Sequence, residues 1–238
     1  GFAQDYGAMS AKLGKEVANQ LYRAFDAGVD TVERLVAEEK IDCSFARVGK
    51  IKLAAKPEHY DKLARSQELL AANVDPDTEM VSRADLASEV GSDRFHGGLI
   101  YRKGAGMHVG RFVRGLAEAA ARRGVEIHEH APMTGLRPVP GGGHEIETPK
   151  GRLHARQVLL ASGTSQTGPL GWIRRRIVPV GAFLIVTEPL PKETLDRLLP
   201  RRRMAVDTKN LVNYFRTTPD NRLLFGGRAR FAISNPAS

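Results

Sequence analysis

The sequence predicts a mixed α/β fold of α+β character, and three observations carry that prediction. Helical periodicity fills the first forty residues, several adjacent strand pairs follow, and helices and strands alternate too irregularly for a regular doubly wound sheet. With 238 residues, 42% of them hydrophobic, the chain can build one sizeable core or two smaller ones. Only 6% are aromatic, so aliphatic side chains must supply most of that core.

In the first helix Leu13, Val17, Leu21, Phe25, Val29, Val32 and Val36 recur at the spacing of one helical face, locally weakened by Gly14 and Gly28. The runs SFARVG and KIKLAA then meet at Gly49 and predict a hairpin, with Ile51 and Leu53 alternating with Lys50 and Lys52. Pro57 starts a second helix that carries Tyr60, Leu63, Leu69 and Leu70. Ser82 and Asp85 resemble a capping box for a short helix over RADLASEV, and GGLIYR reads as a strand. A helix follows from His108 to Arg123, stopped by Gly124. VEIHEH, MTGLRPV, HEIETP and RLHARQVLLAS then predict strands, with Gly141, Gly142 and Gly143 in one turn. The last part predicts a strand in IVPVGAFLIVTEPL, a helix from Lys192 to Leu199, and strands in MAVDT, NYFRTT and RLLFGG.

Composition narrows the function classes. No run of 18 apolar residues is present, so no transmembrane helix is expected, and no basic segment precedes an apolar one as in a signal peptide. Gly1 in place of Met, and Asn-Pro-Ala-Ser after a strand-like run, read as cut ends. Cys43 is the only cysteine, which fits a reducing cytoplasm, excludes a cysteine-based zinc site, and predicts a buried strand position. The net charge of +9 raises nucleic-acid binding, but the basic residues are scattered apart from Arg174–Arg176 and Arg201–Arg203. No RNA-binding aromatic signature or helix-turn-helix pattern accompanies them, so neither nucleic acid nor membrane is an expected partner. His128 and His130 share one strand face near His144, yet no HExxH motif or cysteine partner makes them a metal site. Ser162 lacks the G-x-S-x-G elbow of a hydrolase.

The most informative stretch runs from Arg111 to Gly163. A helix ends at Arg122-Arg123-Gly124, Val125-Glu126-Ile127 begins a strand, and Met133-Thr134-Gly135-Leu136 begins the next. A hairpin ends near Gly151, and Gln157-Val158-Leu159-Leu160 runs into Ala161-Ser162-Gly163-Thr164. An apolar strand that ends in small residues lets backbone approach a ligand at the sheet's carboxyl edge. This order resembles the D-amino-acid-oxidase-like FAD-dependent oxidoreductases, a family that includes glycine oxidase, sarcosine oxidase and gamma-glutamylputrescine oxidase-like enzymes. Gly49-Lys50-Ile51-Lys52-Leu53, Gly97-Gly98-Leu99-Ile100, Pro179-Val180-Gly181-Ala182-Phe183 and Arg222-Leu223-Leu224-Phe225-Gly226-Gly227 extend it, in the family's order, over nearly the whole chain.

The resemblance implies FAD as cofactor and a small-molecule amine or amino acid as substrate. It implies the second part of an FAD/NAD(P)-binding domain interleaved with a substrate domain built on a mixed β-sheet. Residues 1–42 and 97–170 would belong to the FAD domain, and 43–96 and 171–238 to the substrate domain. The implied reaction is oxidative deamination, with hydride transfer to flavin N5 and hydrolysis of the resulting imine. By position, Met133 faces the adenine end of FAD, and Ala161, Ser162 and Gly163 approach the cofactor. Gly226 and Gly227 permit close approach to the isoalloxazine ring, and Tyr214 and Arg216 form the catalytic wall above it. Taken alone, the residues leave alternatives open: core packing for Met133, a solvated sheet face for Tyr214 and Arg216, and a simple strand end for the glycine pair.

Two departures from the family stand out. Met107-His108-Val109 occupies the place of an acidic residue and proline. The G-x-G-x-x-G fingerprint between strand and helix is missing, because neither Gly97-Gly98 nor Gly104-Ala105-Gly106 has that context. The segment expected to close over the flavin after Gly227 is missing too, so the chain reads as an interior piece, inactive alone. Two further readings stand beside the oxidoreductase: a basic module whose arginine runs grip anionic partners, and a flavoprotein relative that has lost catalysis.

Overall fold

The computed structural model describes residues 5–163, 168–178 and 180–230, the last three by backbone only. Thr164, Pro179 and the closing Asn-Pro-Ala-Ser lie outside the described residues. The helices are α1 (Tyr6–Leu13), α2 (Lys15–Glu38), α3 (Pro57–Asn73), α4 (Val109–Arg122), α5 (Gly171–Arg174) and α6 (Lys192–Leu198). The strands are β1 (Lys50–Leu53), β2 (Glu79–Val81), β3 (Gly98–Tyr101), β4 (Gly135–Pro138), β5 (His144–Thr148), β6 (Gly151–Ala155), β7 (Gly181–Val186), β8 (Met204–Asp207), β9 (Tyr214–Thr217) and β10 (Leu223–Arg230). The mixed α/β class is therefore as expected. Two compact units share the chain: the described residues of 1–122 with 182–229, and those of 123–181 with 230.

The first unit is built on a seven-stranded sheet of order β2-β3-β1-β8-β9-β10-β7. It is mixed, because β1 pairs antiparallel with β3 but parallel with β8, while β9 runs antiparallel to β8 and β10. Strand alternation sends Ile51, Leu53 and Ala205 to one face, where they meet Leu86, Val90 and Leu199 in a closed apolar cluster. Phe215 stacks between Phe95 and Phe225 against the same cluster, with ring centroids 6.5 and 5.8 Å apart. On the other face Leu99 and Ala54 are covered by Tyr6 and Met9 of α1, Ala18 of α2, and Leu63 and Leu70 of α3. Each fully buried Leu or Ile contributes about 1.5–3 kcal/mol. The helices thus cover the β1–β3 end of this face.

Local signals explain the helix boundaries. Gly14, at φ 86°, divides the opening helix into α1 and α2, whereas Gly28 stays inside α2. Asp5 caps α1 by accepting from the amides of Gly7 and Ala8. Pro57 occupies the first turn of α3, where its missing N–H costs nothing. Gly124, at φ 88°, follows α4 as the stop signal requires. Gly115 lets α4 dock, since a Cβ there would overlap the Ile41 side chain.

Several local expectations are corrected. Residues 44–48 do not form a hairpin with β1. Gly49, at φ 72°, turns the chain away, Ala46 bridges to Gly106, and β1 inserts between β3 and β8. Cys43 is fully buried as expected but sits in a bend rather than a strand. Ser82 and Asp85 do exchange hydrogen bonds, yet they open a single 3₁₀ turn, Leu86–Ser88, instead of an α-helix. Neither 125–130 nor 157–160 joins a ladder, and Val125, Ile127 and Leu159 are exposed, Leu159 by 91%. Alternating apolar residues mark a strand's faces, but a strand also needs a neighbour to receive its backbone hydrogen bonds. None is present for these runs among the described residues.

The second unit holds the antiparallel sheet β4-β5-β6. Its turn at Gly141, Gly142 and Gly143 has positive φ at all three positions, which only glycine adopts easily. Arg137 forms a cross-strand ion pair with Glu145, a residue almost closed off from solvent. The Arg137 guanidinium, helped by Arg152 and His154, holds the Glu145 carboxyl below its ordinary value of 4.5. A depressed carboxylate stabilises the folded state above its unfolded pKa, and that contribution is lost as pH falls through the folded value. The melting temperature of Glu145→Gln should therefore lie below that of the native protein at neutral pH. The difference should begin to shrink as pH falls below the ordinary value of 4.5 and disappear once pH has passed below the lowered folded value; a constant difference down through that acid range would refute the linkage.

Candidate active site on the sheet face

The β8–β9–β10 end of the large sheet is arranged by register. Tyr214 stands opposite Val206 on one side and Gly226 on the other, and Arg216 stands opposite Leu224. Tyr214 and Arg216 therefore share one face, as the two-residue period predicted, while Phe215 points into the aromatic stack behind them. Gly226 is buried, and a Cβ there would overlap the Tyr214 ring and the Leu184 side chain. The glycine is what allows the phenol to lie across β10. A Cβ at Gly227 would overlap Asn213 Oδ1. Asn213 is in turn fixed by Asp207, whose carboxylate accepts from the Asn213 amide at 3.0 Å and from its Nδ2 at 2.7 Å. The glycine pair thus supports β9 rather than merely ending β10.

Arg216 lines a cavity of about 290 Å³ together with Ser44, Met107, Met204, Thr218 and other residues of the first unit. Among the described residues no carboxylate lines it. Among the described residues Arg216 forms no ion pair, so its guanidinium is available to an anionic ligand. Lys50 adjoins this end of the face: it pairs with Met204 across β1–β8 and places its ammonium 4.4 Å from the centre of the Tyr101 ring. Burial, and then Lys52, push the Lys50 ammonium below its ordinary value. The sequence showed Lys50 and Lys52 on one strand face but not that this face continues to Arg216. That follows only from the β1–β8–β9 order.

In the second unit Met133 is half-buried just before β4, and its carbonyl oxygen lies 3.3 Å from where a Cβ on Gly168 would stand. Thr134 anchors the segment by donating its amide to Glu147 O at 2.8 Å. Ala161, Ser162 and Gly163 are exposed, and Gly163 has φ +60° with nothing within 4 Å of its Cβ position. Small, open residues with a positive-φ glycine fit the close approach of a cofactor. They follow a run outside any ladder, so they do not crown a strand as the sequence suggested.

Several arginines of the two runs are engaged internally. Arg203 donates to Glu89 at 2.8 Å and to Val48 O at 3.1 Å, and Arg202 pairs with Asp196. Arg176 stacks on Trp172, 3.7 Å from the ring centre. No cluster of three or more metal-binding side chains occurs among the described residues, and His130 sits in a turn at φ 54° rather than on a strand. No described helix is long and apolar enough to cross a membrane.

A mixed sheet that carries on one face Arg216, without an ion-pair partner among the described residues, defines a candidate ligand-binding α/β unit, and comparison with known proteins supplies the family. Residues 5–238 match the model of the FAD dependent oxidoreductase family, and the chain belongs to that family. It is 27% identical over 231 residues to the probable oxidoreductase OrdL of Haemophilus influenzae, covering 95% of this chain and 53% of the relative. It is 25% identical over 237 residues to the gamma-glutamylputrescine oxidoreductase of Escherichia coli, covering 99% and 55%. The chain thus spans about half the length of the curated relatives it matches. Glycine oxidase from Geobacillus kaustophilus superposes with a TM-score of 0.67 at 19% identity, over 87% of this chain and 54% of that one. Glycine oxidase from Bacillus cereus superposes with a TM-score of 0.70 at 15% identity, over 92% and 61%. The expected family resemblance and the shared fold are both found.

Proposed function

We propose that the protein acts as an FAD-dependent oxidoreductase on the C–N bond of a small amine or amino acid. The observation that carries this reading is Arg216, a guanidinium without an ion-pair partner among the described residues, lining a cavity on the same sheet face as Tyr214. In this reading Arg216 holds the substrate carboxylate through charge-assisted hydrogen bonds, and the Tyr214 phenol donates to the bound substrate. Gly226 keeps the Tyr214 ring in place. Ala161, Ser162 and Gly163 would meet the cofactor through exposed backbone, with Met133 near its adenine end. Gly226 and Gly227 would lie on the side of the flavin ring.

Bound FAD would supply the hydride acceptor, N5, for the hydrogen on the carbon beside the amine. The protein's own task is to orient that carbon and to hold the substrate by its acid group. The imine product hydrolyses in water, so no protein base is needed for that step. By ligand, residues 1–42 and 97–170 serve the cofactor, and 43–96 and 171–238 serve the substrate. A cytoplasmic location agrees with Cys43, which is a free and fully buried thiol.

The test uses protein purified from its complete coding sequence. Flavin absorbance that is bleached anaerobically by an amine or amino acid is the expected result. A protein that neither carries nor takes up FAD would overturn the reading, as would a flavin that amines leave oxidised.

A further inference from the structure

A second pocket lies on the first unit, between β1, the face of α3, and the loop after β8. It encloses about 650 Å³ and shares no lining residue with the Arg216 cavity. Helix α3 presents His59, Lys62, Leu63, Ser66 and Leu69 to it, a set spaced at three and four residues on one helical face. Lys52 comes from β1, Arg65 from α3, and Thr208 and Lys209 from the loop.

The charges are unbalanced in a specific way. Two carboxylates line the pocket, Asp5 and Asp207, and both are already engaged. Asp5 accepts from the amides of Gly7 and Ala8 and from Ser66 Oγ. Asp207 is 1% exposed and accepts from the amides of Lys209 and Asn213 and from Asn213 Nδ2. Of the four cations, only Lys209 has a carboxylate within ion-pair distance, Asp207 at 3.7 Å. Lys52, Lys62 and Arg65 form no ion pair among the described residues. Four cations from three elements line the pocket together with the apolar side chains of Leu63, Leu69 and Val212. The Thr208 hydroxyl in the same lining is already engaged, accepting from the Ala55 amide at 3.0 Å and lying 2.7 Å from His59 Nδ1.

We propose that this pocket binds a short aliphatic dicarboxylate. The cations come from three separate elements, β1, α3 and the loop after β8, and apolar side chains share the lining, whereas a single phosphate would need its donors gathered at one point. A ligand with acid groups at both ends of a short alkyl body satisfies both features. The inference does not depend on flavin chemistry, so the failure of either reading leaves the other standing.

The experiment is calorimetric titration of glutarate into the protein, with butyrate as the single-acid comparison. Saturable one-to-one binding is expected, weaker for butyrate and weaker as salt rises. Lys62→Gln/Arg65→Gln should lower glutarate affinity by about tenfold or more. Both positions are exposed on α3, so folding should survive, and an unchanged unfolding midpoint checks this. Lys209→Gln, in a loop, gives a second reading that does not touch the helix. Absence of saturable glutarate binding would overturn the proposal. So would affinities within about twofold of the native value in both variants.

Discussion

Replacing Arg203 with alanine should destabilise the protein by about 3–5 kcal/mol, the range found when one partner of a buried ion pair is removed. The side chains of Arg203 and Glu89 are only 14% and 7% exposed, so alanine would leave the Glu89 carboxylate enclosed without a counter-charge. It would also remove the bond from Arg203 to Val48 O, which ties the 44–48 segment to the start of β8. The exposed Arg34–Glu38 pair, at 59% and 50%, is the contrasting case, with an expected effect of about 0.3–0.5 kcal/mol. Replacing both partners by apolar residues, Arg203→Met with Glu89→Leu, should restore most of the loss, because neither charge then remains buried. Denaturant unfolding measures all three, and a loss below about 1 kcal/mol for Arg203→Ala would show that the pair is not a structural tie.

The second large effect belongs to Arg216. In the full-length flavoprotein, Arg216→Met should reduce kcat/KM for a carboxylate-bearing amine by roughly 30- to 160-fold, corresponding to about 2–3 kcal/mol of lost charge pairing. A plain amine of the same length should be affected little, since it offers no carboxylate to hold. The comparison separates a role in binding from a general disturbance of β9. Equal losses for both substrates would remove Arg216 from the substrate site while leaving the family assignment untouched.

How much of this was legible in the sequence depended on the distance between interacting residues. Helical periodicity and end signals placed α3 and α4 closely, because Pro57 and Gly124 act on their immediate neighbours, whereas the opening helix read as one piece because nothing local marked Gly14, which divides it, apart from Gly28, which does not. The two-residue alternation correctly placed Tyr214 and Arg216 on one face. It could not show which face remained open, since that depends on where α1, α2 and α3 pack. Gly49 looked like the turn of a hairpin, but the partners of β1 come from β3 and β8, far along the chain. Arg201–Arg203 looked like a basic patch because nothing local reveals Glu89, 114 residues earlier, as the partner of Arg203. Residues 125–130 and 157–160 have strand-like patterns without ladder partners among the described residues, a distinction that composition alone does not contain.

The parallel pairing of β1 with β8 also bears on how the chain is made. The amide of Ala55, just beyond β1, donates to the Thr208 hydroxyl across 153 residues of sequence. At a synthesis rate of about 5–20 residues per second, β1 leaves the ribosome roughly 8–30 s before β8 exists. During that interval β3 can cover only one edge of β1, and the other edge stays open to any passing strand. The centre of the large sheet therefore stays open until its second half is made, and the nascent chain is most exposed to mispairing and to capture by chaperones while that edge is waiting.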